Sequence, residues 1–251
     1  MKHVRMFHAA VAALALGGAA ACTDEVGPEL SDVEVVQDLA LSSGDAIALD
    51  VSELVANEVF GGFGGAPAMD NAPHEVTVTR SRTCYDENGA AQGQCDGLTT
   101  ASMRIQMTID GTRQRENFTA NIHRTRDLVI SGLLGQETSR THNGVGTAND
   151  TTTLQRSGFT RTVQEASVDS VVNIVFNLPH ANNPWPVSGQ IIRNVNATIT
   201  ITGPREETRT VSRRVVVTFP ADAQGNVSIQ IGTNACTLNL VTRQVTNCSG
   251  N

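Results

Sequence analysis

Four histidines follow the apolar N-terminal run, His74, His123, His142 and His180, and no two of them lie within five residues of each other. A histidine acting as general base needs a neighbour that orients it and a substrate proton within hydrogen-bond reach. Isolated histidines in turns such as Pro179-His180-Ala181-Asn182-Asn183-Pro184-Trp185-Pro186 predict solvated side chains instead. Carboxylates cluster at Asp86-Glu87-Asn88-Gly89 and at Glu206-Glu207. In the first cluster the glycine stands fourth, where a calcium loop of the EF-hand type requires it sixth, and no Glu follows at the twelfth position. Both clusters therefore read as hairpin tips with charges in water. Paired acids can hydrolyse glycosides, but sugar sites usually want aromatic platforms, and this chain is poor in aromatic side chains. No G-x-S-x-G elbow, S-x-x-K, H-E-x-x-H or phosphate-cradling glycine loop occurs. No catalytic residue, metal or cofactor is assigned. An enzyme here would have to gather two or more of His123, His142, Asp127, Asp150 and Glu165 from distant strands into a cleft.

The single tryptophan, Trp185, is held between Pro184 and Pro186. It is a candidate partner contact, since Trp is enriched at binding hot spots. The competing reading is a ring that folds back to cap the open end of a sheet, and the size of the ring favours it.

The N-terminus carries Lys2 and Arg5 and then an uncharged run, Ala9 to Ala21. That run is too short for a membrane-spanning helix, which needs about 20 residues, and it predicts a secretory signal over residues 1–21. Ala19-Ala20-Ala21-Cys22 resembles the lipobox of bacterial lipoproteins, with Ala19 where Leu is commonest. The resemblance covers the first two dozen residues. It implies that Cys22 is acylated, becomes the first mature residue and anchors the chain to a membrane of the cell envelope. Thr23, rather than Asp, beside the cysteine resembles lipoproteins of the outer membrane. The same three alanines also suit an ordinary signal peptidase, which would leave Cys22 a free thiol.

With Cys22 set aside, Cys84, Cys95, Cys236 and Cys248 remain, an even number that predicts disulfides in an exported chain. Each short interval brackets a turn-rich segment, so two local bridges, Cys84 with Cys95 and Cys236 with Cys248, are the simplest of the three connectivities. No C-x2-C spacing supports zinc.

Charge is unevenly distributed. Residues 22–75 hold twelve Asp and Glu and no Lys or Arg, whereas residues 76–251 hold thirteen acids and sixteen Arg. An acidic leader before a near-neutral body predicts a solvated, self-repelling tether over residues 22–74. Nucleic acid is excluded as a partner by the acidic pI and the lack of Arg interleaved with aromatics. The densest basic pair, Arg213-Arg214, would point to opposite faces of a strand.

Within the tether, Ser31 with Glu34 and Asp50 with Glu53 match the capping box at a helix start. They predict one or two short amphipathic helices, packed on the following domain or lying at the membrane surface. Gly61 to Pro73 predicts a linker. Beyond it the apolar period is two: Met103, Ile105, Met107, Ile109; then Phe118, Ala120, Ile122; then Val172, Ile174, Phe176, Leu178. The pattern continues through Val195, Ala197, Ile199, Ile201, then Val215, Val217, Phe219, then Val227, Ile229, Ile231 and finally Cys236, Leu238, Leu240. Strands joined by short turns predict an antiparallel meander over residues 75–251 with one wet face. Between about 133 and 157 the signal fades, consistent with long polar strands or with an irregular excursion.

The expected fold is all-β, an antiparallel meander forming a sandwich or partly open barrel, preceded by a short acidic tether. The expected function is that of a lipid-anchored envelope module without enzymatic activity, binding a protein or surface polymer. The alternative is a carrier whose half-barrel cavity takes a lipid or other apolar ligand, and an enzyme without a recognisable motif comes third.

Overall fold

Period-two alternation needs a buried face, and the sheet obtains one by curling around a helix. A computed structural model describes residues 30–57, 74–135, 137–156, 158–179, 184–204 and 206–249. Cys22, the Gly61–Pro73 linker and His180 lie outside the described residues. One helix, α1 (Asp32–Asn57), is followed by β1 (His74–Tyr85), β2 (Ala91–Gln92), β3 (Ser102–Arg115), β4 (Phe118–Ser131), β5 (Ser139–Arg156) and β6 (Phe159–Asn177). Then come β7 (Ser188–Thr202), β8 (Glu207–Thr218), β9 (Asn226–Ile231), β10 (Asn234–Asn239) and β11 (Val245–Ser249). The strands form one antiparallel sheet in the order β11-β10-β9-β8-β7-β6-β5-β4-β3-β1-β2, and its two edges are not hydrogen-bonded to each other among the described residues. The architecture is the expected all-β meander in partly open form.

The interior holds α1. Residues 42–51 are buried without interruption, so no face of the helix centre meets solvent. Val35, Leu39, Ile47, Val51 and Leu54 join the inward residues of β3, β4, β6, β7, β8, β9 and β10 in a single core. The centre of the helix is Ser42-Ser43-Gly44, unusual for a helix interior. Its small size lets the sheet close in: a Cβ on Gly44 would stand 3.0 Å from Val245 Cγ2 and 3.1 Å from Leu238 Cδ1.

The start of α1 is the expected capping box. Ser31 N donates to Glu34 Oε2 at 3.0 Å, and Glu34 N donates to Ser31 Oγ at 3.3 Å. The second box, Asp50 with Glu53, does not start a helix, because α1 runs through both residues. Of the acidic segment 22–74, the stretch that forms α1 is not solvated, since Asp38, Asp45 and Asp50 are buried, while residues 22–29 and 58–73 lie outside the described residues. The physical reason is that opposite charge is waiting for them on the inner face of the sheet.

The polar stretch around 133–157 proves to be mostly β5, an 18-residue strand. It carries two close approaches to β4. A Cβ on Gly144 would stand 2.9 Å from Leu128 Cα, and one on Gly146 would collide with the Thr125 carbonyl oxygen and stand 2.5 Å from Arg126 Nη1. Register shifts at His142/Gly144 on β5 and at Val172/Val175 between β6 and β7 add local twist. Together these features let the sheet wrap a cylinder as narrow as a helix.

The outer face is hydroxylated. Thr119, Thr153, Thr162, Thr200 and Thr208 are direct cross-strand partners on five successive strands. Thr125 lies 2.9 Å from Thr147, and Thr200 lies 3.3 Å from Thr208. Threonine satisfies strand propensity while keeping an exposed face wet. Both local cysteine pairs, Cys84 with Cys95 and Cys236 with Cys248, are disulfide-bonded.

Gly146→Ala should lower the free energy of unfolding by about 1–3 kcal/mol through overpacking. Gly93→Ala, where an added Cβ meets nothing within 4 Å, should leave it nearly unchanged. Urea unfolding of the two variants measures the contrast.

Candidate functional site, the ionic layer between helix and sheet

Inward positions on β3 to β7 alternate between apolar and charged residues. Arg124 and Arg126 continue the inward phase of Ala120 and Ile122, Arg161 precedes Val163 in phase, and Arg193 stands between Ile191 and Val195. Six arginines are buried among the described residues: Arg113, Arg124, Arg126, Arg161, Arg193 and Arg243. The strands supply three buried acids, Asp150, Glu165 and Asp169, and α1 supplies three more, Asp38, Asp45 and Asp50. Five of these arginines stand on strands and Arg243 on the β10–β11 connection, so with every carboxyl counted as ionised the six cations are matched in number only when the three acids of α1 are included.

The pairing is specific. Arg126 Nε and Nη2 donate to Asp50 Oδ1 at 3.1 and 2.9 Å, and Nη2 also reaches Asp50 Oδ2 at 2.9 Å. Its Nη2 lies 2.8 Å from Asp169 Oδ2, and Nη1 donates to the Thr125 and Thr147 carbonyls at 2.8 and 3.2 Å. Arg124 donates through Nε to Asp150 Oδ2 at 2.8 Å and through Nη1 to the Ala46 carbonyl of α1 at 3.2 Å. Arg161 Nη1 holds both Asp38 oxygens at 3.1 Å, while its Nη2 takes Glu34. At the helix ends, Glu53 pairs with Arg80 of β1, and Asp32 pairs with Arg209 of β8.

Glu165 is held differently. Ser42 Oγ donates to its Oε1 at 2.8 Å, but its Oε2 is 4.0 Å from Arg193 Nη2 and accepts no hydrogen bond among the described residues. Burial pushes the Glu165 carboxyl above its ordinary range, against the pull of Arg193. Asp169 behaves oppositely: burial would raise its carboxyl, but Arg193 and Arg126 on either side hold it below the usual range.

The sequence-derived candidates distribute as follows. Asp150 and Glu165 are cross-strand partners, yet both lie sealed under α1. His142 is buried too, its ring edge-on to Phe176 at 5.4 Å. His123 is exposed on the outer face with Asp110, 2.5 Å from it, and Asp127 pairs outside with Arg104. Trp185 is half-buried against the core, and a Cβ on Gly225 would stand 2.9 Å from its Cζ2. Among the described residues no group of three His, Cys, Asp or Glu could hold a metal. The inward arginines escaped the sequence reading, although their phase with neighbouring apolar residues was the signal that could have found them.

Concavities on the outside include two formed by described residues. One lies over β1, β3, β4, β5 and β6, where the exposed Val145 and Val168 stand among Thr79, Gln106 and Thr125, with Arg80 and Asp127 also in the wall. The other lies at the end of the sheet where the β3–β4 turn faces the β10–β11 connection. Comparison of the chain with family models, with curated proteins and with solved structures finds no match.

Because the folded state favours the proton on Glu165, its contribution to stability is full below the unfolded value near 4.5 and is lost as pH rises through the raised folded value. Glu165→Gln should therefore match the parent near about pH 4 and become increasingly more stable than the parent as pH rises toward about 8. Thermal melts across that range check the sign. A variant that falls behind the parent at high pH would mean that ionised Glu165 is needed by Arg193.

Proposed function

We propose that the protein is a lipid-anchored module of the bacterial cell envelope, without enzymatic activity, that works through its outer surface. One observation carries this reading: Asp150, Glu165, Asp169 and the arginines beside them are committed to holding α1, so the residues best suited to chemistry are spent on structure. The lumen that an apolar-ligand carrier would use is filled by the same helix. What faces outward is a broad hydroxyl-rich sheet with a concavity over β1, β3, β4, β5 and β6 in which exposed Val145 and Val168 lie among Thr79, Gln106 and Thr125, suited to a partner with both polar and apolar groups, such as a protein or surface polymer.

The address rests on Cys22 and the signal before it, and two disulfides suit an oxidising compartment. The outer membrane is the proposed destination, on the character of Thr23. Trp185, half-buried between its prolines, is the proposed anchor for a partner near the loop.

Cys22→Ser should move the protein from the membrane pellet to the soluble fraction when cells are broken and spun. A variant that still pellets with membranes would overturn the anchored reading.

A further inference from the structure

The contacts of α1 fix its direction inside the curled sheet. Before its first turn, Leu30 N donates to both carboxylate oxygens of Glu207, at 2.6 and 2.8 Å, and the Leu30 carbonyl accepts from Arg209 Nη1 at 2.6 Å. Leu30 is 2% exposed, so the chain is clamped to the start of β8 where it enters the sheet. Further along, Asp38 meets Arg161, Asp45 meets Arg113 and Arg115 with Arg243 3.8 Å away, Asp50 meets Arg126, and Glu53 meets Arg80 of β1. Arg113 is paired with His74 at the start of β1, so β1 runs in the same sense as the helix. It continues past Arg80 to Cys84, where the loop closed by the Cys84–Cys95 bridge begins.

The curled sheet therefore has a near end, at the β7–β8 turn beside Leu30, and a far end, at the disulfide loop. From Asp32 to Glu53 the helix alone rises about 32 Å, and the disulfide loop lies beyond that point. At the near end the β5–β6 and β7–β8 turns are joined: a Cβ on Gly203 would stand 2.8 Å from the Gly158 carbonyl oxygen and 3.1 Å from Phe159 Cβ. Val33 on the first turn of α1, next to the Asp32 that pairs with Arg209, is 60% exposed there. At the far end Leu98, in the disulfide loop, is 82% exposed.

We propose that the near end, the β5–β6 and β7–β8 turns with the first turn of α1, rests against lipid headgroups, and that the Cys84–Cys95 loop is held on the side away from the membrane. The inference rests on the acylation of Cys22 proposed above and adds the face that the domain turns to the bilayer. Length carries it. Only residues 23–29 separate Cys22 from Leu30, so Leu30 lies within about 29 Å of an anchor at the bilayer surface even with that segment fully extended. An inverted domain, with the disulfide loop on the lipid, would put Leu30 more than about 32 Å from the surface and out of reach. Leu98 is accordingly exposed to solvent and does not dip into the lipid, whereas Val33 is placed to meet it.

The test uses the full acylated protein in phosphatidylcholine–phosphatidylglycerol vesicles whose headgroups carry a nitroxide quencher. A fluorophore is attached through an azide-bearing residue, which leaves both disulfides intact, in place of exposed Thr202 at the near end or exposed Glu87 in the far loop. Mass spectrometry of the N-terminal fragment and flotation of the vesicles establish first whether Cys22 carries acyl chains. Quenching of the label at Thr202 should exceed that of the label at Glu87 several-fold. Inserting about 20 Gly and Ser residues after Asp24, which adds up to about 70 Å of reach, should bring the two values closer together. In acylated protein that floats, equal quenching of the two labels, or a difference unchanged by the insertion, would overturn the orientation and leave the anchor standing. Protein without acyl chains on Cys22 would overturn both.

Discussion

The inner surface of the sheet cannot exist without a counter-charge. Six buried arginines meet only three buried acids from the strands, and the deficit is met by Asp38, Asp45 and Asp50 of α1. Burying a guanidinium without a partner is destabilising by several kcal/mol, so the curled sheet and the helix define each other. The apolar contacts of Val35, Leu39, Ile47 and Leu54 supply non-directional adhesion. The ion pairs, with their fixed forks, set the height and rotation at which the helix sits. Arg126 illustrates this, bridging Asp50 of the helix and Asp169 of β6 while it bonds two backbone carbonyls of the sheet.

That constraint explains other peculiarities of the chain. Gly44 and the serines beside it thin the helix where β10 and β11 press against it. Gly144 thins β5 against Leu128, and Gly146 thins it where the Arg126 side chain lies against the sheet. Threonine dominates the opposite face because the inward positions have already taken up the apolar and basic residues. The acids of α1 and the inward arginines of the sheet are therefore two halves of one complementary interface.

Much of the fold was legible in the sequence. Alternation at Met103 to Ile109 and at Val195 to Ile201 gave strands on the correct face, and the Ser31–Glu34 box marked the helix start. The wrap was not legible, because a charge run looks the same whether its partner is water or a distant strand. Arg124 and Arg126 fall in the inward phase, but an arginine in phase with apolar residues argues against burial until the opposing acid is known. β5 was obscured because its inward residues include Gly146, Ala148, Asp150 and Thr152 rather than large apolar ones. Of the candidate site, the cysteine pairs were visible from spacing alone. The arginine cluster on Asp45 draws on residues nearly two hundred positions apart, and no local pattern brings them together.

The coupling between helix acids and sheet arginines holds α1 in the sheet. A double-mutant cycle on Asp50 and Arg126, using Asp50→Asn, Arg126→Met and both together, measures it by urea unfolding. The expected coupling is about 2 kcal/mol or more, with the double variant losing much less stability than the sum of the single losses. Single losses that add to within about 0.5 kcal/mol would show the two residues acting independently, and would contradict the claim that the ion pairs hold the helix in the sheet.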